Sequence, residues 1–130
     1  MKKYESIISE LKSIDVSSYD PENAKKVVDK ASKLTYNDEV IPTIRELYFR
    51  LMERFRKNLE HPELITELFN KIESWLEPKI AYKIIPYLDY KKNIVDLRLK
   101  ALQYVSILGR KSTLPENLQD LIVKTYFLAI

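Results

Sequence analysis

The chain has 130 residues and a mass of 15.4 kDa, enough for one domain with a real core. Apolar residues make up 45% of it and charged residues 32%, and apolar side chains this plentiful and this regularly spaced exclude a disordered chain. The absence of Cys excludes a disulfide framework, a thiolate nucleophile and a cysteine metal site; a single Gly, Gly109, excludes a phosphate-cradling loop; the formal charge of +3 names no partner by itself.

The opening "MKKYESIISELKS" lacks the run of about 7–15 apolar residues that a signal peptide requires. No stretch reaches the roughly 18 apolar residues of a membrane span. A cytoplasmic protein with no membrane partner is expected. The same opening predicts a first helix, because Tyr4, Ile7, Ile8, Leu11 and Ile14 recur at the spacing of one helical face. In "SSYDPENAKKVVDKASKL", Asp20 is placed as N-cap, Pro21 at the first helical position and Glu22 in the first turn. The stripe of this second helix is Ala24, Val27, Val28, Ala31 and Leu34.

The third helix is expected to begin at Asn37 or Asp38 and to run to about Leu59. Its stripe is Val40, Ile41, Ile44, Leu47, Tyr48, Leu51, Met52 and Phe55, with Pro42 early enough to remove only the first bond of the ladder. Arg50, Arg54 and Lys57 share one face, expected to point outward. Glu46 and Glu53 stand four residues before Arg50 and Lys57, which predicts a self-neutralised surface.

A fourth helix restarts at Pro62, with Leu64, Ile65, Leu68, Phe69, Ile72, Trp75 and Leu76 as its stripe. Pro78 opens a fifth, carrying Ile80, Ala81, Ile84, Ile85 and Leu88. The sixth is expected from about Asn93 to Leu108, stopping at Gly109, the residue type favoured just past a helix end. The seventh starts from Ser112 or Thr113 as cap, has Pro115 in its first turn, and continues to the last residue. Val and Ile recur at three and four rather than two, so no strand is predicted. The expected fold class is all-α: about seven helices in one domain spanning residues 1–130, antiparallel to their neighbours because the connecting turns are short.

Two stretches repeat a pattern. "EVIPTIREL" and "KIIPYLDYK" each hold an apolar pair, a Pro, and an apolar residue two positions on. Pro42 and Pro86 are 44 residues apart, and a second helix follows each, near Pro62 and near Asn93. A period of about 40–47 residues with two helices per unit is that of HEAT and armadillo repeats. Ile84, Ile85, Pro86, Leu88 and Asp89, followed by Leu97, Arg98, Ala101, Leu102, Val105, Leu108 and Gly109, resemble one HEAT unit across residues 78–109. In that family a first helix is kinked by Pro, an Asp marks the turn, and the second helix opens on an apolar residue, Arg, and then Ala-Leu. Pro86 would remove the bond to the Tyr82 carbonyl, at about 3 kcal/mol in a helix interior, and bend the helix along its partner. The preceding unit departs from the pattern, since Ile65 stands where Arg98 does and no Asp marks its turn. The resemblance implies stacked helical hairpins in a right-handed superhelix that presents surface to other macromolecules. The alternative is a compact helical bundle.

Little in the chain is suited to chemistry. His61, the only histidine, precedes Pro62 at a helix start, where a capping or a solvent-facing role is expected. No second His or Cys can join it in a metal site, and no nucleophile motif surrounds any serine. Glu63/Glu67 and Glu73/Glu77 are carboxylate pairs at helical spacing, expected on a wet face. The protein is therefore expected not to be an enzyme, with no catalytic residue, metal, cofactor or small-molecule substrate.

Two binding regions stand out. Between Lys79 and Lys111 lie eight basic residues, Arg98 among them, against Asp89 and Asp96, giving +6 there and −3 elsewhere. Such asymmetry points to an anionic partner. Nucleic-acid binding is accordingly the second functional expectation, through Lys79, Lys83, Lys91, Lys92, Lys100, Arg110 and Lys111, with Tyr90 as a stacking residue. Tyr82, Tyr87 and Tyr104 share that span and either stack bases or fill the core.

The other region is the C-terminal "LIVKTYFLAI", apolar nearly all round. A helix of that kind must be buried on all sides, whereas terminal repeats carry a polar outer face. Val123, Phe127, Leu128 and Ile130 are expected to meet a partner protein or a second copy of the chain. The first functional expectation is thus a protein–protein interaction module, a small subunit or adaptor of a larger complex.

Overall fold

Among the described residues, most of the apolar side chains that recur at three and four lie in helices. The computed structural model describes residues 2–35, 37–56, 61–77, 80–84, 87, 95–111, 116, 119, 120 and 123, and among these no strand occurs. The protein is all-α. Its elements are α1 (Lys2–Ser13), α2 (Pro21–Ser32), α3 (Ile41–Arg56), α4 (Pro62–Ile72) with a 3-10 turn at Glu73–Trp75, α5 (Ala81–Ile84) and α6 (Val95–Lys111). Residues 116, 119, 120 and 123 are helical as well. No helix among the described residues is long and apolar enough to cross a membrane. The chain divides into two compact units, Met1–Leu68 and Phe69–Ile130.

In the first unit α3 packs against both α1 and α2. The predicted start of α2 is present: the Asp20 side chain accepts from the Asn23 N–H at 2.8 Å, and Pro21 follows where its missing N–H had no helical partner. Ala24, Val28 and Ala31 of α2 are buried, as are Ile44, Leu47, Tyr48, Leu51, Met52 and Phe55 of α3. The Tyr48 hydroxyl shares a hydrogen bond with the Ser32 hydroxyl at 3.0 Å, which gives the buried phenol a polar partner. On the surface Lys30 reaches Glu10 at 3.2 Å, with both side chains well exposed, so this tie between α2 and α1 adds little stability.

α3 begins at Ile41, later than the sequence suggests. Asn37 organises a separate turn: its side chain accepts from the Glu39 N–H at 2.8 Å and its carbonyl from the Val40 N–H at 3.1 Å. Helical bonding starts at the Val40 carbonyl, which accepts from Thr43 and Ile44, each at 3.1 Å. Pro42 is therefore the second helical residue, where an N–H would have had no ladder partner. The start of α4 is as expected at Pro62. The His61 carbonyl accepts from Leu64 at 3.2 Å and Ile65 at 3.4 Å, so His61 caps through its backbone. Its ring meets Phe55 edge-on at 5.9 Å, and its Nδ1 lies 3.6 Å from Glu63.

The second unit is organised by aromatic rings. Phe69, fully buried, makes edge-to-face contacts with Tyr87 at 5.0 Å and with Tyr104 at 5.4 Å. The Tyr104 hydroxyl donates to the Phe69 carbonyl at 2.8 Å. Burial, with the Glu73 charge adding to it, raises the Tyr104 phenol well above its ordinary pKa. α5 packs against α6. α6 does not stop at Gly109 but runs through it to Lys111. Gly adopts helical dihedrals at a cost of about 1 kcal/mol relative to Ala, so its preference for helix ends does not oblige a helix to stop there. The expected opening of the fifth helix at Pro78, the kink at Pro86, Asp89 and the caps Ser112 and Thr113 lie outside the described residues.

Candidate functional site

A helix ends with carbonyl oxygens that have no partner along the chain. At the end of α1 that demand is met from α3. Arg50 donates from Nη2 to the Leu11 carbonyl at 3.0 Å and from Nη1 to the Ile14 carbonyl. A cation is favoured there because the C-terminal end of a helix carries partial negative charge. Arg50 is half-buried, not on an outward face, and its hydrogen bonds go to α1 rather than to Glu46. Beyond α1 the chain turns at Asp15, whose carboxylate accepts from the Ser17 N–H at 3.0 Å. Hydrogen bonds from the Ser17 hydroxyl and N–H hold the Asp15 carboxyl below its ordinary pKa, so it is ionised at neutral pH.

The other charges of α3 sort themselves unevenly. Glu53 is clasped by Arg56, with Nε to Oε2 at 3.0 Å and Nη2 to Oε1 at 2.7 Å. Both carboxylate oxygens of Glu53 thus meet Arg56; its expected partner, Lys57, lies outside the described residues. Arg54 is half-buried, and its Nε is enclosed with no hydrogen-bond partner. Among the described residues nothing forms a hydrogen bond or ion pair with its guanidinium, which sits 5.5 Å from the centre of the Phe55 ring. The expected self-neutralised surface is thus absent at Arg50 and Arg54.

These side chains surround a pocket of about 430 Å³. The turn after α1 lines it with Ile14, Asp15, Val16 and Ser17, and α3 lines it with Arg50, Glu53 and Arg54. It is an open depression, part apolar and part cationic, with a volume in the range of small-ligand sites.

Comparison with family models, with curated proteins and with solved structures finds no match.

The residues singled out in the sequence fall elsewhere. Val123 is helical and 56% exposed; Phe127, Leu128 and Ile130 lie outside the described residues. In the basic span, Lys83 is exposed, and Lys100 is half-buried with Nζ 5.8 Å from the Tyr104 ring centre. Arg110 and Lys111 belong to the last turn of α6, while Lys79, Tyr90, Lys91 and Lys92 lie outside the described residues. Tyr87 and Tyr104 are buried in the aromatic cluster and present no face for a base to stack on. Glu63, Glu67, Glu73 and Glu77 are all exposed.

The arginine pocket was missed by charge pairing on one helix alone. A signal for it does exist in the sequence: three and four residues on either side of Arg54 stand Arg50, Leu51, Lys57 and Asn58, none of them acidic. Arg54 therefore has no carboxylate within local reach on its own helix.

Proposed function

We propose that this chain is a non-catalytic protein-interaction module of stacked helical hairpins resembling HEAT repeats, and that its C-terminal segment joins it to a second copy of itself. The observation that carries this reading is Val123. Glu116, Gln119, Asp120 and Val123 are helical and exposed, at the spacing of a single helical face. Three polar side chains meet water along that face, and then an apolar one does, with 56% of its surface exposed. In the sequence, Phe127 and Ile130 follow Val123 at four and seven residues, the spacing at which apolar residues share a helical face. Leu99 of α6, at 48%, is a further large apolar side chain in contact with water. Burying a side chain of this kind stabilises an assembly by about 1.5–3 kcal/mol. In favour of the repeat, Ala101, Val105 and Leu108 of the HEAT-like pattern are buried and Arg98 is half-buried.

Sedimentation equilibrium of the wild type and of a V123D/F127E variant, at two concentrations, tests the reading. A wild-type dimer that dissociates in the variant is the expected result. A wild type monomeric at every concentration overturns it.

Burial of Tyr87 and Tyr104 takes two stacking platforms from the basic span, which leaves nucleic-acid binding as the lesser reading. It requires a complex with duplex or single strand whose affinity falls steeply with salt. No gel shift at low salt removes it.

A further inference from the structure

The pocket between the turn after α1 and α3 holds two guanidinium groups, and among the described residues no carboxylate is paired with either. Arg50 and Arg54 stand four residues apart on one helix, a like-charge spacing that is mildly unfavourable by itself. The charge of Arg50 is answered by the carbonyls of Leu11 and Ile14. That of Arg54 is answered by no described residue. Its Nε–H is enclosed and makes no hydrogen bond, a condition that costs about 1–3 kcal/mol and is rare in folded proteins. The two acidic residues of the pocket do not relieve it. Both oxygens of Glu53 are held by Arg56, and Asp15 accepts from Ser17.

We propose that this pocket binds a monoanionic carboxylate carried on a short apolar stem, gripped by Arg54 and framed by Arg50. A carboxylate matches the planar fork of a guanidinium and can accept from the Nη groups of Arg54, its Nε being enclosed. One negative charge fits better than two. With Glu53 matched by Arg56, Asp15 is the one acidic lining residue left to oppose Arg50 and Arg54, which leaves one net positive charge that a monoanion balances and a dianion such as phosphate exceeds. The apolar stem follows from Ile14 and from the buried Val16 on the opposite lining. Arg50 is a positioning residue, because its hydrogen bonds to α1 hold the turn against α3. This binding is independent of the C-terminal association proposed above.

Such a group is found on a free aliphatic acid and at the C-terminus of a polypeptide ending in an apolar residue. Arginine Nε–Hε signals of the ¹⁵N-labelled full chain report on the grip directly. The probes are hexanoate, a short peptide ending in a free-acid Leu, the same peptide amidated, and inorganic phosphate, each raised to about 10 mM, enough to detect a site of roughly millimolar affinity. Hexanoate is expected to shift one Nε–Hε signal saturably, namely the signal missing in R54K. R54M is expected to weaken binding on the order of tenfold or more, as for loss of a charge-assisted hydrogen bond. D15N, which removes the opposing charge but keeps a side-chain acceptor for Ser17, is expected to tighten it several-fold. Binding of the free-acid peptide but not of the amide would assign the ligand to a chain terminus, and binding of hexanoate alone to a small acid. No saturable shift with either probe overturns the proposal. So does unchanged affinity in R54M, or phosphate binding more tightly than hexanoate.

Discussion

Nη2 of Arg50 lies 3.0 Å from the carbonyl oxygen of Leu11, a residue 39 positions earlier, and closes the last turn of α1 from the neighbouring helix. The same guanidinium holds the Ile14 carbonyl, so one side chain fixes where α1 ends and where the following turn sits. R50A is expected to lower stability by about 2 kcal/mol, since two carbonyl partners are lost with the charge that favours them. R50K should recover only part of this, because an ammonium cannot span both carbonyls as a planar fork does. Urea unfolding of both variants, compared at equal m-value, measures the difference.

Asp20 accepts from the Asn23 N–H at 2.8 Å and so caps α2. D20A should destabilise the chain by about 1 kcal/mol, while D20N, which keeps an acceptor of the same length, should be close to neutral. Equal losses in the two variants would mean that charge rather than the cap matters at this position. Thermal unfolding of both distinguishes these results.

The ring of Phe69 is fully enclosed and touches Tyr87 and Tyr104. F69A is expected to cost about 3–5 kcal/mol through the cavity it leaves. Y104F removes only the hydroxyl that donates to the Phe69 carbonyl and should cost about 1 kcal/mol. Chemical denaturation that ranks these two variants in the reverse order would contradict the packing described.

Alkaline pH should weaken the fold through its tyrosines. Burial raises the Tyr48 phenol above its ordinary value of 10.0, against a hydrogen bond from Ser32 that lowers it, and raises Tyr104 further. A phenol whose pKa is higher in the folded than in the unfolded chain contributes fully below the unfolded value and less as pH rises above it. Melting temperature is therefore expected to fall from about pH 10 upward. The fall should be shallower in Y104F, which has one fewer raised phenol.

Pro42 is the second residue of α3, not an interior one. P42A should be neutral or lose about 0.4–1 kcal/mol, because Pro restricts the unfolded chain and is unstrained at this position. A gain of roughly 3 kcal/mol would instead place Pro42 inside the hydrogen-bonded ladder. Calorimetry of the two proteins reads the sign directly.

Much of the helical plan is legible in the residues alone. Asp20 and Pro21 mark the start of α2, Pro62 marks that of α4, and the stripes of α2, α3 and α4 carry the buried side chains. These features depend on bonds and contacts three or four residues apart, so neighbouring residues are enough to specify them. The start of α3 was displaced because Asn37 had two ways to serve as an acceptor, and the local turn to Glu39 and Val40 prevailed. The end of α6 was displaced because Gly109 only prefers a helix end and is free to adopt helical dihedrals, so α6 runs on to Lys111.

By itself the sequence determined an all-helical protein, the faces its helices bury, and a chain without the residue sets of common catalytic motifs. Only the tertiary structure decided that Arg50 would answer the carbonyls of a distant helix, that Arg56 would take Glu53, and that no described residue would pair with Arg54 beside a pocket. The reason is physical: a helix is a local object, but an arginine side chain reaches several ångströms in many directions, and its partner is whatever the packing of other helices brings within reach.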